Sequence, residues 1–267
     1  MTSTASSGAS RNWRSWWRTC AVGRRPRRER KPSRWCCRPR QPPPAPAKPR
    51  RRQPGEPRLR SDRSLRVSRR IVLASASPRR RELLAQVGIP FEVMPTDVPE
   101  HGRPEAEPAA LAEALALEKA QAAAGRVAEG LVLGADTIVV VDSRVLGKPA
   151  DAADARAMLR LLSGRTHQVI TGVALIDRQS GTTRHTDVAH ATTDVTFLPW
   201  SDEDIDAYLR TGEPLDKAGA YAIQGYASLL IEGICGCYFN VVGLPLALVA
   251  QMLRARGVPV RPAPLGG

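Results

Sequence analysis

A chain of 267 residues with 40 Lys and Arg against 26 Asp and Glu has a formal net charge of +14, but that charge is unevenly spread. Residues 1–70 hold 22 basic and three acidic side chains, leaving 18 against 23 for residues 71–267, so overall charge gives no case for nucleic-acid binding by the larger part. The absence of an 18-residue apolar run, of an N-terminal apolar signal core and of any regular cysteine spacing argues against a spanning helix, secretion and a disulfide framework, and makes the cytoplasm the expected location.

Residues 1–69 contain ten of the 23 prolines, four of the five tryptophans, the basic run Arg50-Arg51-Arg52 and the polyproline-like Gln41-Pro42-Pro43-Pro44. Without apolar periodicity such a stretch cannot bury enough surface to offset its ordering entropy, so a disordered basic extension is expected, followed by one folded domain over 70–260. Three readings of the extension stay open. The plainest is translated sequence upstream of the native start; the others are an extension without a dedicated role and an arm for RNA or a membrane surface, which Arg interleaved with Trp would suit.

At Ile71 the character changes. Ile71-Val72-Leu73-Ala74 reads as a buried strand, and Ser77-Pro78 supplies an N-cap and first-turn proline for a helix through Arg81-Glu82-Leu83-Leu84 that stops at Gly88. Residues 107–128, rich in Ala, Leu, Glu and Lys, predict a long helix. A second buried strand covers Leu131 to Val141 and turns at Asp142-Ser143. Asp151 caps a helix carrying Ala155, Met158, Leu159 and Leu162, which ends at Gly164. Strands at 167–177 and 184–197 form a hairpin through Gln179-Ser180-Gly181; Ser201 with Asp204 starts another capped helix, and a last one runs from Pro245 to Arg256. Hairpins mixed with crossovers predict an α/β fold with a mixed twisted sheet flanked by helices.

Several places invite chemistry. Ser75-Ala76-Ser77-Pro78-Arg79-Arg80 sets hydroxyls, helix-end amides and two guanidinium groups at one strand-to-helix turn, a combination suited to polyphosphate. Arginine in a first turn opposes the helix dipole, which favours a functional reason for it; no G-x-x-x-x-G-K-[ST] pattern is present. Gly134-Ala135-Asp136-Thr137 places an acid inside an apolar strand, where it is either an internal capping group or a base. Lys148, in Gly147-Lys148-Pro149, is either a phosphate ligand or a surface lysine. Glu213 to Gly225 forms a glycine-punctuated loop of the ordered kind that often carries function. Glu100 and Glu118-Lys119, taken alone, read as solvated charges. Cys235 and Cys237, near a turn, read as small half-buried residues, and His167 as a strand histidine with no catalytic grouping around it.

Together these segments resemble the Maf family of nucleoside triphosphate pyrophosphatases. The likeness runs from Ile71 to Arg256 and is carried by LASASPRRRELL (73–84), EKA (118–120), LGADTIVVVD (133–142), LGKP (146–149), MLRLLSGRTHQVITGVAL (158–175), EPLDKAGAYAIQG (213–225) and VVGLPL (241–246). The resemblance implies two lobes around a cleft that holds the triphosphate, as in Maf and ITPase-like proteins. It implies Asp136 as the catalytic acid-base residue, and Ser75, Arg80, Lys119 and Lys148 as phosphate-handling positions, with Glu100 as an acidic partner. A divalent cation, Mg²⁺ or Mn²⁺, is implied as cofactor, with Asp136 and Glu100 as its candidate ligands. The branch acting on 7-methyl-GTP has Trp, Gln and Glu where this chain has Arg79, Thr137 and Gln224, and these three match the branch acting on dTTP and UTP. An amide at Gln224 can pair with the O4 and N3–H edge of thymine or uracil. The family often shows two adjacent acids where this chain has Pro99-Glu100.

The expected partner is therefore a nucleoside triphosphate, with no membrane, nucleic acid only through the basic extension, and a homodimer compatible with the resemblance. The alternatives are a 7-methyl-GTP pyrophosphatase of the same family, a non-catalytic division-regulatory protein and a nucleic-acid-binding protein acting through residues 1–69.

Overall fold

The computed structural model describes residues 69–96, 98 and 107–260. The N-terminal extension, with the readings attached to it, and Glu100 lie outside the described residues. β1 (Ile71–Ala74) leads into α1 (Pro78–Gln86), followed by β2 (Glu92–Val93), α2 (Pro108–Ala124), β3 (Gly130–Val141) and β4 (Arg144–Leu146). Then come α3 (Ala152–Leu162), β5 (Thr166–Gln179), β6 (Thr182–Phe197), α4 (Asp202–Leu209), β7 (Ile231–Cys235), α5 (Tyr238–Val242) and α6 (Leu246–Ala255). Three short 3₁₀ segments, Glu213–Asp216, Ala218–Ala220 and Tyr226–Leu230, fill the stretch between α4 and β7.

Among the described residues the strands form one seven-stranded mixed sheet in the order β2-β1-β3-β5-β6-β7, with β4 also on β3. β1 runs parallel to β2 and β3, while β3–β4, β3–β5, β5–β6 and β6–β7 are antiparallel. The expected mixed sheet flanked by helices is therefore the fold observed. Two of its hairpins close on left-handed pairs, Asp142-Ser143 with φ of 47° and 62° and Ser180-Gly181 with φ of 50° and 74°, the backbone that two-residue hairpin turns require.

Local signals place the helix starts. The Asp151 carboxylate accepts the Asp154 N–H at 2.8 Å, and Ser201 with Asp204 forms a reciprocal capping box. Ser77 differs from expectation: it occupies the N-cap position of α1 without a side-chain cap bond, and its own N–H donates to Ser75 Oγ at 3.3 Å. α2 ends at Ala124, short of residue 128, with Gly125 as its C-cap. β4, β7 and α5 have no counterpart in the sequence reading; at three to five residues each they are too short for a period to show, and they exist through tertiary pairing.

β3 is buried on both faces. Its odd positions Leu131, Leu133 and Ala135 pack with α1, α5 and α6, and Val139 and Val141 with α3 and α4; its even positions Val132, Ile138 and Val140 pack under α2. α2 lies against the sheet through an alanine stripe, made possible by two glycines in the strands beneath. A Cβ on Gly134 would stand 2.3 Å from the Ala116 carbonyl oxygen, and one on Gly172 would stand 2.1 Å from that of Ala112. Both obstacles are helix backbone, which cannot yield locally. Gly172→Ala should therefore cost about 3 kcal/mol by lifting α2 from the sheet. Chemical denaturation would show this as a lower midpoint at unchanged slope, and an unaltered midpoint would refute the close-packing account.

Strand lengths leave a gap along one edge of β3. β1 covers one edge of β3 only over Leu131–Gly134, and β4 covers the same edge only over Val139–Val141. Among the described residues, Ala135–Ile138 have no strand on that side, so the sheet is notched where Asp136 and Thr137 stand.

Candidate functional site

A cleft of about 1270 Å³ opens over this notch. Among the described residues, six basic ones line it, Arg79, Arg80, Lys119, Arg144, Lys148 and Lys217, against the acids Asp136 and Asp216. Cations thus gather in one cleft although residues 71–267 carry more acidic than basic side chains. A local field of this sign attracts anions.

Because β-strand side chains alternate, neighbouring Asp136 and Thr137 serve opposite faces of the sheet. Asp136, on the α2 face, accepts Lys119 Nζ at 2.5 Å, and both residues are over nine-tenths buried. Lys119 reaches it because the helix sits so close above Gly134, with Ala120 and Ala116 as contact residues. The pair explains how an acid survives inside an apolar strand: its charge is offset in place.

On the other face Arg80 is aimed by three acceptors. Its Nε donates to the Gly243 carbonyl at 2.8 Å, Nη1 to Ser75 Oγ at 3.1 Å and Nη2 to Thr137 Oγ1 at 3.0 Å. Thr137 Oγ1 lies 2.9 Å from Thr171 Oγ1, which donates to the Asn240 carbonyl at 3.1 Å. The Asn240 side-chain amide donates to the Val169 carbonyl and Thr193 Oγ1, both at 2.9 Å. A buried polar chain thus fixes α5, and with it the Gly243 carbonyl that orients Arg80.

The loop after α4 closes the cleft on its remaining side, contributing Asp216, Lys217, Ala218, Tyr221, Ala222, Ile223 and Gln224. Lys217 Nζ donates to the Glu213 carbonyl at 2.7 Å and to Asp216 Oδ1 at 2.5 Å. Asp216 in turn stands 3.9 Å from Arg79 Nη1, across the mouth. Although burial opposes ionisation of Asp216, Lys217 and Arg79 together hold its carboxyl below the ordinary range.

Of the sequence-derived candidates, Ser75, Arg79, Arg80, Lys119, Asp136, Thr137, Lys148 and Gln224 all line this one cleft, while Glu100 lies outside the described residues. Lys217 and Arg144 also line it without having been singled out. Lys217 lies inside the quoted loop segment, where only its neighbours' three-dimensional placement distinguishes it from a solvated charge. Cys235 is exposed and Cys237 half-buried, and no group of three or more His, Cys, Asp or Glu able to hold a metal occurs among the described residues. No helix among them is long and apolar enough to cross a membrane.

His167 is a strand histidine, as expected, but it is fully enclosed. It lies edge-on to Phe197 and Tyr221 and is 2.8 Å from the Tyr221 hydroxyl. Burial lowers its pKa to about 4 from the ordinary 6.5. The unfolded chain therefore binds a proton that the folded protein refuses between those values, and stability falls as pH drops from 6.5 towards 4, by about 3 kcal/mol in all. Denaturation midpoints of wild type and His167→Gln should converge over that window as the wild type loses its advantage; parallel curves would refute the assignment.

The sequence model of the family described as Maf-like protein matches residues 70–256. A Moorella thermoacetica protein named dTTP/UTP pyrophosphatase is 55% identical over 191 residues, spanning 72% of this chain and 97% of its own length. A Symbiobacterium thermophilum protein of the same name is 56% identical over 190 residues, spanning 71% and 95%. Among solved structures, a HAM1 protein from Coxiella burnetii aligns over 70% of this chain and 98% of its own, with 16% identity and a TM-score of 0.42.

Proposed function

This chain belongs to the Maf family, and from that premise we propose that it hydrolyses dTTP and UTP to the monophosphate and pyrophosphate. The observation that carries the reading is the Asp136–Lys119 pair at the uncovered edge of β3, surrounded by the cations of the cleft. Phosphoryl transfer needs positioning and charge neutralisation more than covalent help, and these residues supply both.

In the proposed reaction Ser75, Arg80, Lys119 and Lys148 hold the triphosphate. Asp136 accepts a proton from water, whose oxygen bonds to the α-phosphorus. The bond from that phosphorus to the bridging oxygen breaks, and pyrophosphate leaves with the electron pair. Arg79, Thr137 and Gln224 act in selecting the base. Gln224 reads the uracil or thymine edge with its amide, and Thr137 acts through its bond to Arg80.

A divalent cation fits this site in one specific manner. The described residues offer the buried carboxylate of Asp136 but no closed set of protein ligands, which suits Mg²⁺ or Mn²⁺ held by one or two carboxylates and by substrate phosphates. Asp136, with Glu100 as the second candidate, would hold the ion, and it would neutralise charge on the phosphoryl oxygens. A cytoplasmic site of action accords with this substrate and with a cysteine spacing that shows no disulfide framework.

The test is pyrophosphate release by the full chain with Mg²⁺ or Mn²⁺ over dTTP, UTP, CTP, GTP and 7-methyl-GTP. Preference for dTTP and UTP supports the reading. Preference for 7-methyl-GTP would keep the reaction and overturn the base assignment, and release from none by folded protein would overturn both.

A further inference from the structure

We infer that Tyr208 and Glu213, neither of which lines the cleft, set base selectivity by framing the turn that carries Gln224; this rests on the base-reading role given to Gln224 above. The Gly225 N–H donates to the Ala222 carbonyl at 3.2 Å, so Ile223 and Gln224 occupy the corners of a four-residue turn. Both ends of that turn are held by the same two side chains. The Ala222 N–H donates to the Tyr208 oxygen at 3.1 Å, and the Tyr208 hydroxyl donates to Glu213 Oε1 at 2.8 Å. Glu213 Oε2 accepts the Tyr226 N–H at 3.4 Å, completing the frame beyond Gly225.

Tyr208 is fully buried in α4, against the stacked ring of Tyr226 and the edge of Trp200, so the frame is anchored in a core and not in solvent. Burial, with the Glu213 carboxylate adding to it, holds the phenol well above its ordinary range, and it stays a donor at neutral pH. Glu213 also receives Lys217 through its backbone carbonyl, tying a cleft cation to the same anchor.

Gly225 shows how tight the fit is. Its φ of −102° and ψ of −153° are open to any residue, yet a Cβ there would lie 2.0–2.2 Å from the Glu213 carboxylate atoms. The glycine is needed for the carboxylate's place, not for its own backbone. An amide that discriminates bases by one donor and one acceptor must be held to within a fraction of an ångström, which a 3₁₀-punctuated loop achieves only when cross-braced.

The geometry supplies a variant that disturbs the frame without removing a core side chain. Gly225→Ala displaces only the flexible end of Glu213. In the full chain with Mg²⁺, it should lower the ratio of kcat/KM for dTTP over CTP about tenfold, the loss of roughly one hydrogen bond's discrimination, with thermal stability near wild type. Tyr208→Phe should move the ratio in the same direction, and Glu213→Gln, which keeps an acceptor for Tyr208, should move it less. Glu213→Ala combined with Gly225→Ala should be no worse than Glu213→Ala alone, because both break the same contact. Equal losses on both nucleotides, or an unchanged ratio in Gly225→Ala and Tyr208→Phe while Gln224→Ala shifts it, would overturn the frame and leave the reading of Gln224 standing. An unchanged ratio in Gln224→Ala would overturn that reading, and the inference with it.

Discussion

Asp136→Asn is expected to lower kcat for dTTP by about a thousandfold while KM stays within a few-fold, the range a general base contributes. The substitution is nearly isosteric, and the amide oxygen can still accept from Lys119 Nζ, which lies 2.5 Å from the carboxylate. What disappears is the ability to accept water's proton, along with one negative charge beside the incoming triphosphate. Ground-state binding should therefore be kept or slightly tightened as turnover collapses, a split that marks an interaction made in the transition state. Near-normal turnover in this variant would end the assignment of Asp136 as the base.

Removing the other partner tests the same pair through stability. Lys119→Met leaves a carboxylate that is 5% exposed without its counter-ion, and breaking a buried pair in this way costs about 3–5 kcal/mol. Replacing both, as Lys119→Met with Asp136→Leu, should recover most of that stability without recovering activity, since two apolar groups leave no charge stranded. The double variant thus separates the two jobs of the pair. Should Lys119→Met unfold at the same denaturant concentration as wild type, the carboxylate would have to be solvated through the cleft, and the packing of α2 over Gly134 would not be what makes it tolerable.

Much of the fold was readable from local signals. The Asp151 and Ser201 caps, the turns at Asp142-Ser143 and Ser180-Gly181 and the apolar run of β3 each depend on residues a few positions apart, and all appear as expected. Ser77 is the instructive exception, because its position was right but its hydroxyl was not used as a cap. The site was legible in composition rather than in arrangement. Asp136 stood out as an acid in an apolar strand, whereas Lys119 looked like any solvated lysine on a helix. Only the absence of side chains at Gly134 and Gly172 lets α2 come near enough to join the two.

The sequence by itself thus determined where the longer strands and helices lie and that the basic surplus belongs to the first 70 residues. The tertiary structure decided the rest: the notch left on β3 by short β1 and β4, the split of Asp136 and Thr137 to opposite faces, and the Tyr208–Glu213 frame around Gln224. The division has a physical cause. Caps, turns and periodicity act over a few residues along the chain, while a gap in a sheet edge is set by the register of strands some 60 residues apart, which no local pattern encodes.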